Sequence, residues 1–135
     1  MATESSHFWL GTFKTEKEFF DFFGEDQNYY SDKEDDNDEK YISEFAKSQG
    51  EYSVDHDFME CGFENDQISF EEKFSKYSYS SQWLAEAQKR LQNLGLNLED
   101  INAAAFITSN EIKKPISIKN TNFNIIYIGE IEYEI

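Results

Sequence analysis

The chain has 135 residues, the length of one domain, and can bury roughly two-thirds of the surface its unfolded form exposes. Aromatic residues make up 17 %, which excludes a disordered chain, and a single cysteine, Cys61, excludes an internal disulfide framework or a cysteine-built zinc site. No apolar run is long enough to span a membrane, no signal-peptide pattern opens the chain, and the net charge of −16 repels nucleic acid and anionic membrane surfaces while attracting basic partners.

In chain order, His7 to Phe13 is predicted to be a strand of aromatic and apolar residues. Thr15-Glu-Lys-Glu18 is a capping box opening a helix with Phe19, Phe20, Phe22 and Phe23 as a broad apolar stripe, ended by Gly24. A second helix is expected from near Asp36, with Tyr41, Ile42, Phe45 and Ala46 on its apolar face and Gly50 as its stop. Between them, Glu25 to Lys40 holds an acidic run that reads as a surface segment. Phe58 to Phe63 alternates as a strand, with Met59, Cys61 and Phe63 on one face and Glu60 on the other.

Ser69-Phe-Glu-Glu72 is a second capping box. The clearest helix runs from about Ser80 to Leu94, with Trp83, Leu84, Ala87, Leu91 and Leu94 on one face and Gly95 as its cap. Ala103 to Ile107 is apolar on both faces, as in an interior strand. Ile116 and Ile118 follow Pro115 as an edge strand, and Asn120 to Asn122 forms a turn. Phe123 to Ile135 reads as a long strand with Phe123, Ile125, Tyr127, Ile131 and Tyr133 on one side. Its other side carries Ile126 and Ile128, then Glu130, Glu132 and Glu134. These elements define a single α+β domain over residues 1–135, a mostly antiparallel sheet with three to four helices packed on it.

The charge is polarised: residues 1–72 hold 21 acids and 5 bases, whereas residues 73–135 hold 7 of each. A calcium loop starting at Asp32 fails, since Asn37 replaces the required glycine and Ser43 the required glutamate. Asp55-His-Asp57 with Glu60 has the residue types of a divalent-metal site, but strand alternation sends His56 away from the two aspartates. Nucleophile elbows, phosphate loops and dinucleotide fingerprints are missing, and Cys61 lies in an apolar segment where thiols are inert. Arg90 is the sole arginine, which argues against a phosphate clamp. Trp9 and the phenylalanines of the first helix read as core rather than as a ligand pocket. Tyr29, Tyr30 and Tyr52 stand beside acids in loop-like segments and suit a surface that grips a basic protein.

The order of several short motifs carries a resemblance. Phe8-Trp-Leu-Gly11 leads into the phenylalanine-rich helix; Ser43-Glu-Phe-Ala-Lys47 with Gly50 follows, then Asp55-His-Asp-Phe-Met-Glu60, a helix after Tyr79-Ser80, and Tyr127-Ile-Gly129. Over nearly its whole length the chain resembles the Imm22-type immunity proteins of bacterial polymorphic toxin systems, formerly a domain of unknown function. The resemblance implies a non-enzymatic protein that binds and neutralises a cognate toxin and needs no cofactor. Charge extends that expectation to a basic toxin of the nuclease type, met in the cytoplasm, with no direct contact to nucleic acid or membrane. The expected contact surface is Tyr29, Tyr30, Asp32, Glu34, Asp35, Asp36, Asp38, Tyr52, Asp55, Asp57 and Glu60. The rival readings are an acidic DNA mimic that sequesters a DNA-binding protein, a small metal-binding protein or enzyme built on Asp55 to Glu60, and acidity that serves solubility alone.

Overall fold

The predicted first strand forms and reaches back to Thr3, giving β1 (Thr3–Phe13) in a computed structural model that describes residues 2–25 and 41–135. It is the middle strand of a five-stranded antiparallel sheet. On one side lie β3 (Ala103–Thr108) and, outside it, β2 (Met59–Phe63); on the other lie β5 (Phe123–Glu134) and the two-residue β4 (Ile118–Lys119). Ala103 to Ile107 is buried throughout, as a strand flanked by neighbours and covered on both faces requires.

Four α-helices are present among the described residues: α1 (Glu16–Phe23), α2 (Glu44–Ser48), α3 (Phe70–Phe74) and α4 (Ser80–Asn93). They cover the sheet in two layers. On one face α3 and α4 bring Phe70, Phe74, Trp83, Ala87 and Leu91 onto Phe8, Leu10, Phe106, Ile126 and Ile128. On the other, α1 and α2 bring Phe19, Phe22, Phe23 and Phe45 onto Trp9, Phe13, Ala105, Ile107 and Ile125. The architecture is α+β, as the hydrophobic periodicities predict.

Both predicted helix starts form, each capped by the hydroxyl half of its box. The Thr15 hydroxyl accepts the Glu18 N–H at 3.1 Å and the Ser69 hydroxyl accepts the Glu72 N–H at 3.2 Å. Other expectations are corrected. Tyr41 to Ser43 is not helical, because Ser43 caps α2 by accepting the Ala46 N–H at 3.0 Å; the acids expected to open that helix lie outside the described residues. Gly24 does end α1, on extended backbone, and a Cβ there would stand 2.5 Å from the Phe20 carbonyl oxygen. Phe20 and Leu94 are exposed, not core. Ile116 precedes β4 and pairs with nothing in the sheet, while its carbonyl serves as an acceptor for Trp9.

The largest correction concerns β5. Periodicity places Ile131 and Tyr133 with Ile125, yet they pack with Ile126 and Ile128 under α4. A β-bulge causes this: Phe8 pairs with Gly129 and Trp9 with Tyr127, so Ile128 is an extra residue and side-chain phase inverts beyond it. Gly129 takes φ +101, a value that side chains resist, and the Arg90 Nη1 stands 2.9 Å from where its Cβ would lie. Gly129→Ala is expected to cost about 1–3 kcal/mol, read as a lower urea midpoint with unchanged slope. An unchanged midpoint would show that the bulge relaxes freely.

Candidate partner-binding surface

The segment after α2 builds an acidic corner. Gly50 at φ +78 turns the chain out of the helix, and Glu51 to Asp57 then runs beside the crossover that links β3 to β4. That crossover is firmly tied. Buried His7 donates from Nε2 to the carbonyls of Ser109 and Ile112, each at 3.1 Å, while its Nδ1 accepts the Tyr127 hydroxyl at 2.8 Å. Trp9 Nε1 donates to the Ile116 carbonyl at 2.9 Å, and Gln49 exchanges hydrogen bonds with both backbone groups of Ile116. The crossover therefore holds Glu111 where its carboxylate accepts the Asp55 N–H at 2.7 Å.

A pocket of about 420 Å³ lies at this corner, lined by Glu25, Ile42, Ser53, Val54, Asp55, His56, Asp57 and Glu111. Four of its described lining residues carry carboxylates: Glu25, Asp55, Asp57 and Glu111. His56 Nδ1 stands 3.8 Å from Glu25, and its buried Nε2 has no hydrogen-bond partner among the described residues. Asp55 accepts the Asp57 N–H at 2.9 Å and so caps the single 3-10 turn His56–Phe58 that leads into β2.

Asp55, His56 and Asp57 stand at a 3-10 turn rather than on a strand, so alternation does not send His56 away from the aspartates. Of the residues considered in the sequence, these three share this pocket. Tyr52 is beside it in sequence, 57 % exposed, and stacked on Tyr41 with ring centroids 5.1 Å apart. Glu60 points to the opposite face of the sheet, where its carboxylate accepts the N–H and hydroxyl of Ser78 at 2.7 and 2.6 Å. Asp55, His56, Asp57 and Glu60 thus do not converge, and among the described residues no three acids, histidines or cysteines are grouped to hold a metal ion. Tyr29, Tyr30, Asp32, Glu34, Asp35, Asp36 and Asp38 lie outside the described residues. Sequence patterning does not place Glu25 or Glu111 on this surface. Glu111 is distant in sequence, and no local signal links it to Asp55.

Cys61 is half-buried on β2, and burial, with Glu60 adding to it, pushes its thiol up to about 11. At pH 8 the folded chain is expected to react with iodoacetamide at least about tenfold more slowly than the urea-unfolded chain. Because the unfolded thiol ionises near 9.0 and the folded one near 11, stability from this group is full below pH 9.0 and is lost as pH rises toward 11. Equal labelling rates would instead mark Cys61 as an open nucleophile.

The fold is thus a single sheet layered by helices on both faces, with an acidic corner beside the crossover from β3 to β4. The chain belongs to the Immunity protein 22 family, whose model matches residues 7–134. Membership carries a toxin-neutralising role and bears out the resemblance read from the motif order. No curated protein and no solved structure matches the chain significantly. No helix among the described residues is long and apolar enough to cross a membrane.

Proposed function

We propose that the chain, acting as one domain, neutralises its cognate toxin by direct binding through its acidic surface, that it performs no catalysis, and that the toxin is a basic nuclease met in the cytoplasm. The observation that carries this reading is the gathering of Glu25, Asp55, Asp57 and Glu111 around one pocket. A nuclease presents a cationic cleft to hold polyphosphate, and fixed carboxylates can take the place of phosphate there. Complementary charge also raises the encounter rate by orders of magnitude, which matters for an antidote. The proposed contact residues are Tyr52, Asp55 and Asp57, joined by Tyr29, Tyr30, Asp32, Glu34, Asp35, Asp36 and Asp38 of the acidic run; Glu60, turned to Ser78 on the other face of the sheet, stands outside that surface. The exposed Tyr52 supplies apolar area, since tyrosine is enriched among the residues that dominate binding energy.

The test begins with a toxin domain captured from the source lysate or expressed from a neighbouring gene, and follows its association by stopped flow. Between 0.05 and 0.5 M salt the association rate is expected to fall about tenfold or more. Asp55→Asn combined with Asp57→Lys keeps an acceptor at the turn cap and removes charge. It is expected to lower the association rate about three- to tenfold and leave dissociation nearly unchanged. An association rate independent of salt would remove charge steering from the mechanism.

A further inference from the structure

The two borders of the sheet are treated differently. On the β5 side, β4 covers the start of the strand, and side chains occupy much of the rest. Arg90 Nη1 donates to the carbonyls of Ile128 and Glu130, each at 2.9 Å. Gln82 donates to the Glu134 carbonyl at 2.9 Å and accepts its N–H at 2.8 Å, and the Ser117 hydroxyl accepts the Tyr127 N–H at 2.8 Å. The β2 border has no such guard among the described residues. Glu64 donates its N–H to the Asn102 carbonyl, which fixes the alternation: Glu60 and Gly62 face β3, and Cys61 and Phe63 turn their N–H and C=O outward.

Unpaired strand edges template the addition of another strand, and natural proteins blunt those that carry no partner. This edge is not blunted by lysine, proline or a bulge. Large apolar side chains stand exposed near it: Phe58, immediately before β2, is 57 % exposed, and Phe20, on the helix packed against β2, is 56 % exposed. The surrounding charge is mainly acidic, with Lys76 paired to Glu64 at 2.8 Å just beyond the strand. Residues 51–72 hold eight acids and no lysine or arginine.

We propose that the outer edge of β2 is a docking strand, where an extended basic segment of the partner pairs with Cys61 and Phe63 and extends the five-stranded sheet. Main-chain hydrogen bonds supply the affinity, and the flanking carboxylates select lysine or arginine at the segment's ends. A second copy of this chain is the less suited occupant, since edge-to-edge pairing would bring two acidic stretches together. That the partner is a toxin rests on the reading above; the chemistry of the edge does not.

The test uses the isotope-labelled full chain and a capped peptide of alternating lysine and valine, with a second peptide N-methylated at alternate residues. The N-methylated form keeps the charge and cannot complete the ladder. At saturating plain peptide, amide exchange at Cys61 and Phe63 is expected to slow about tenfold or more, with Glu60 and Gly62 as internal references already paired to β3. The N-methylated peptide is expected to give no protection. Equal effects from both peptides, perturbation confined to the pocket at Asp55 and Glu111, or no binding would each overturn the proposal. Protection at Cys61 and Phe63 without peptide, together with doubled mass by light scattering, would assign the edge to a second copy and overturn it too. Repeating the exchange measurement with a captured toxin domain separates the two readings. Toxin bound with both amides unprotected defeats the docking strand alone, and peptide bound with no toxin defeats the toxin reading alone.

Discussion

Gly11→Ala is expected to remove at least about 3 kcal/mol of stability, enough to leave a domain of ordinary stability largely unfolded in moderate urea. Gly11 lies in β1 between two neighbours, and a Cβ there would land on the carbonyl oxygen of Asn124 and within 2.7 Å of the Ile125 Cα. Both obstacles are backbone of a paired strand, so no side-chain rotation relieves the clash; β1 and β5 would have to separate. Gly50→Ala is the control. It meets nothing within 4 Å, and its φ of +78 costs only about 1 kcal/mol. Urea unfolding of the two variants separates steric exclusion from backbone preference. A Gly11→Ala variant as stable as Gly50→Ala would mean that the sheet can splay at this point.

The second large effect is expected at Trp9. Its side chain is buried on the face covered by α1 and α2, with its ring 5.0 Å from Phe45 and 5.3 Å from Tyr127. Trp9→Ala is expected to cost about 3–5 kcal/mol, from the cavity and the lost transfer energy. Trp9→Phe keeps an aromatic ring and loses the N–H that reaches the Ile116 carbonyl at 2.9 Å, with an expected cost of about 1–2 kcal/mol. Because Ile116 lies in the crossover, the Phe variant should also speed amide exchange in residues 109–117 while leaving α4 unchanged. Uniform exchange across the chain in that variant would show that the indole N–H is not what holds the crossover.

Elements whose cause is local were legible in the sequence. Thr15 and Ser69 announce helices because a hydroxyl three residues ahead of a glutamate satisfies an N–H of the first turn, whatever surrounds it. Ala103 to Ile107 reads as an interior strand because it offers no polar face to water. The phase of β5 was illegible for the opposite reason. A period of two cannot reveal an extra residue, and only the pairing of Phe8 with Gly129 decides where the bulge falls. The candidate site divides in the same way. Asp55 and Asp57 are neighbours on a capped turn and visible as such, whereas Glu111 arrives through a crossover fixed by His7, Trp9 and Gln49. Glu60 has the right composition for the acidic surface, but one step of strand alternation turns it toward Ser78.

The position of β1 has a consequence for how the molecule comes into being. The strand that centres the sheet is made well before either of its neighbours: Phe8 must find Phe106 and Gly129, and Thr3 must find Glu134. During synthesis the run Phe8-Trp-Leu10 therefore waits without a strand partner until more than ninety further residues have followed. Sheet closure between such distant strands carries a loop-entropy cost that slows folding, so assembly belongs to the period after translation. An antidote built on this topology gives no protection while nascent; the cell relies on a pool of chains that have already closed.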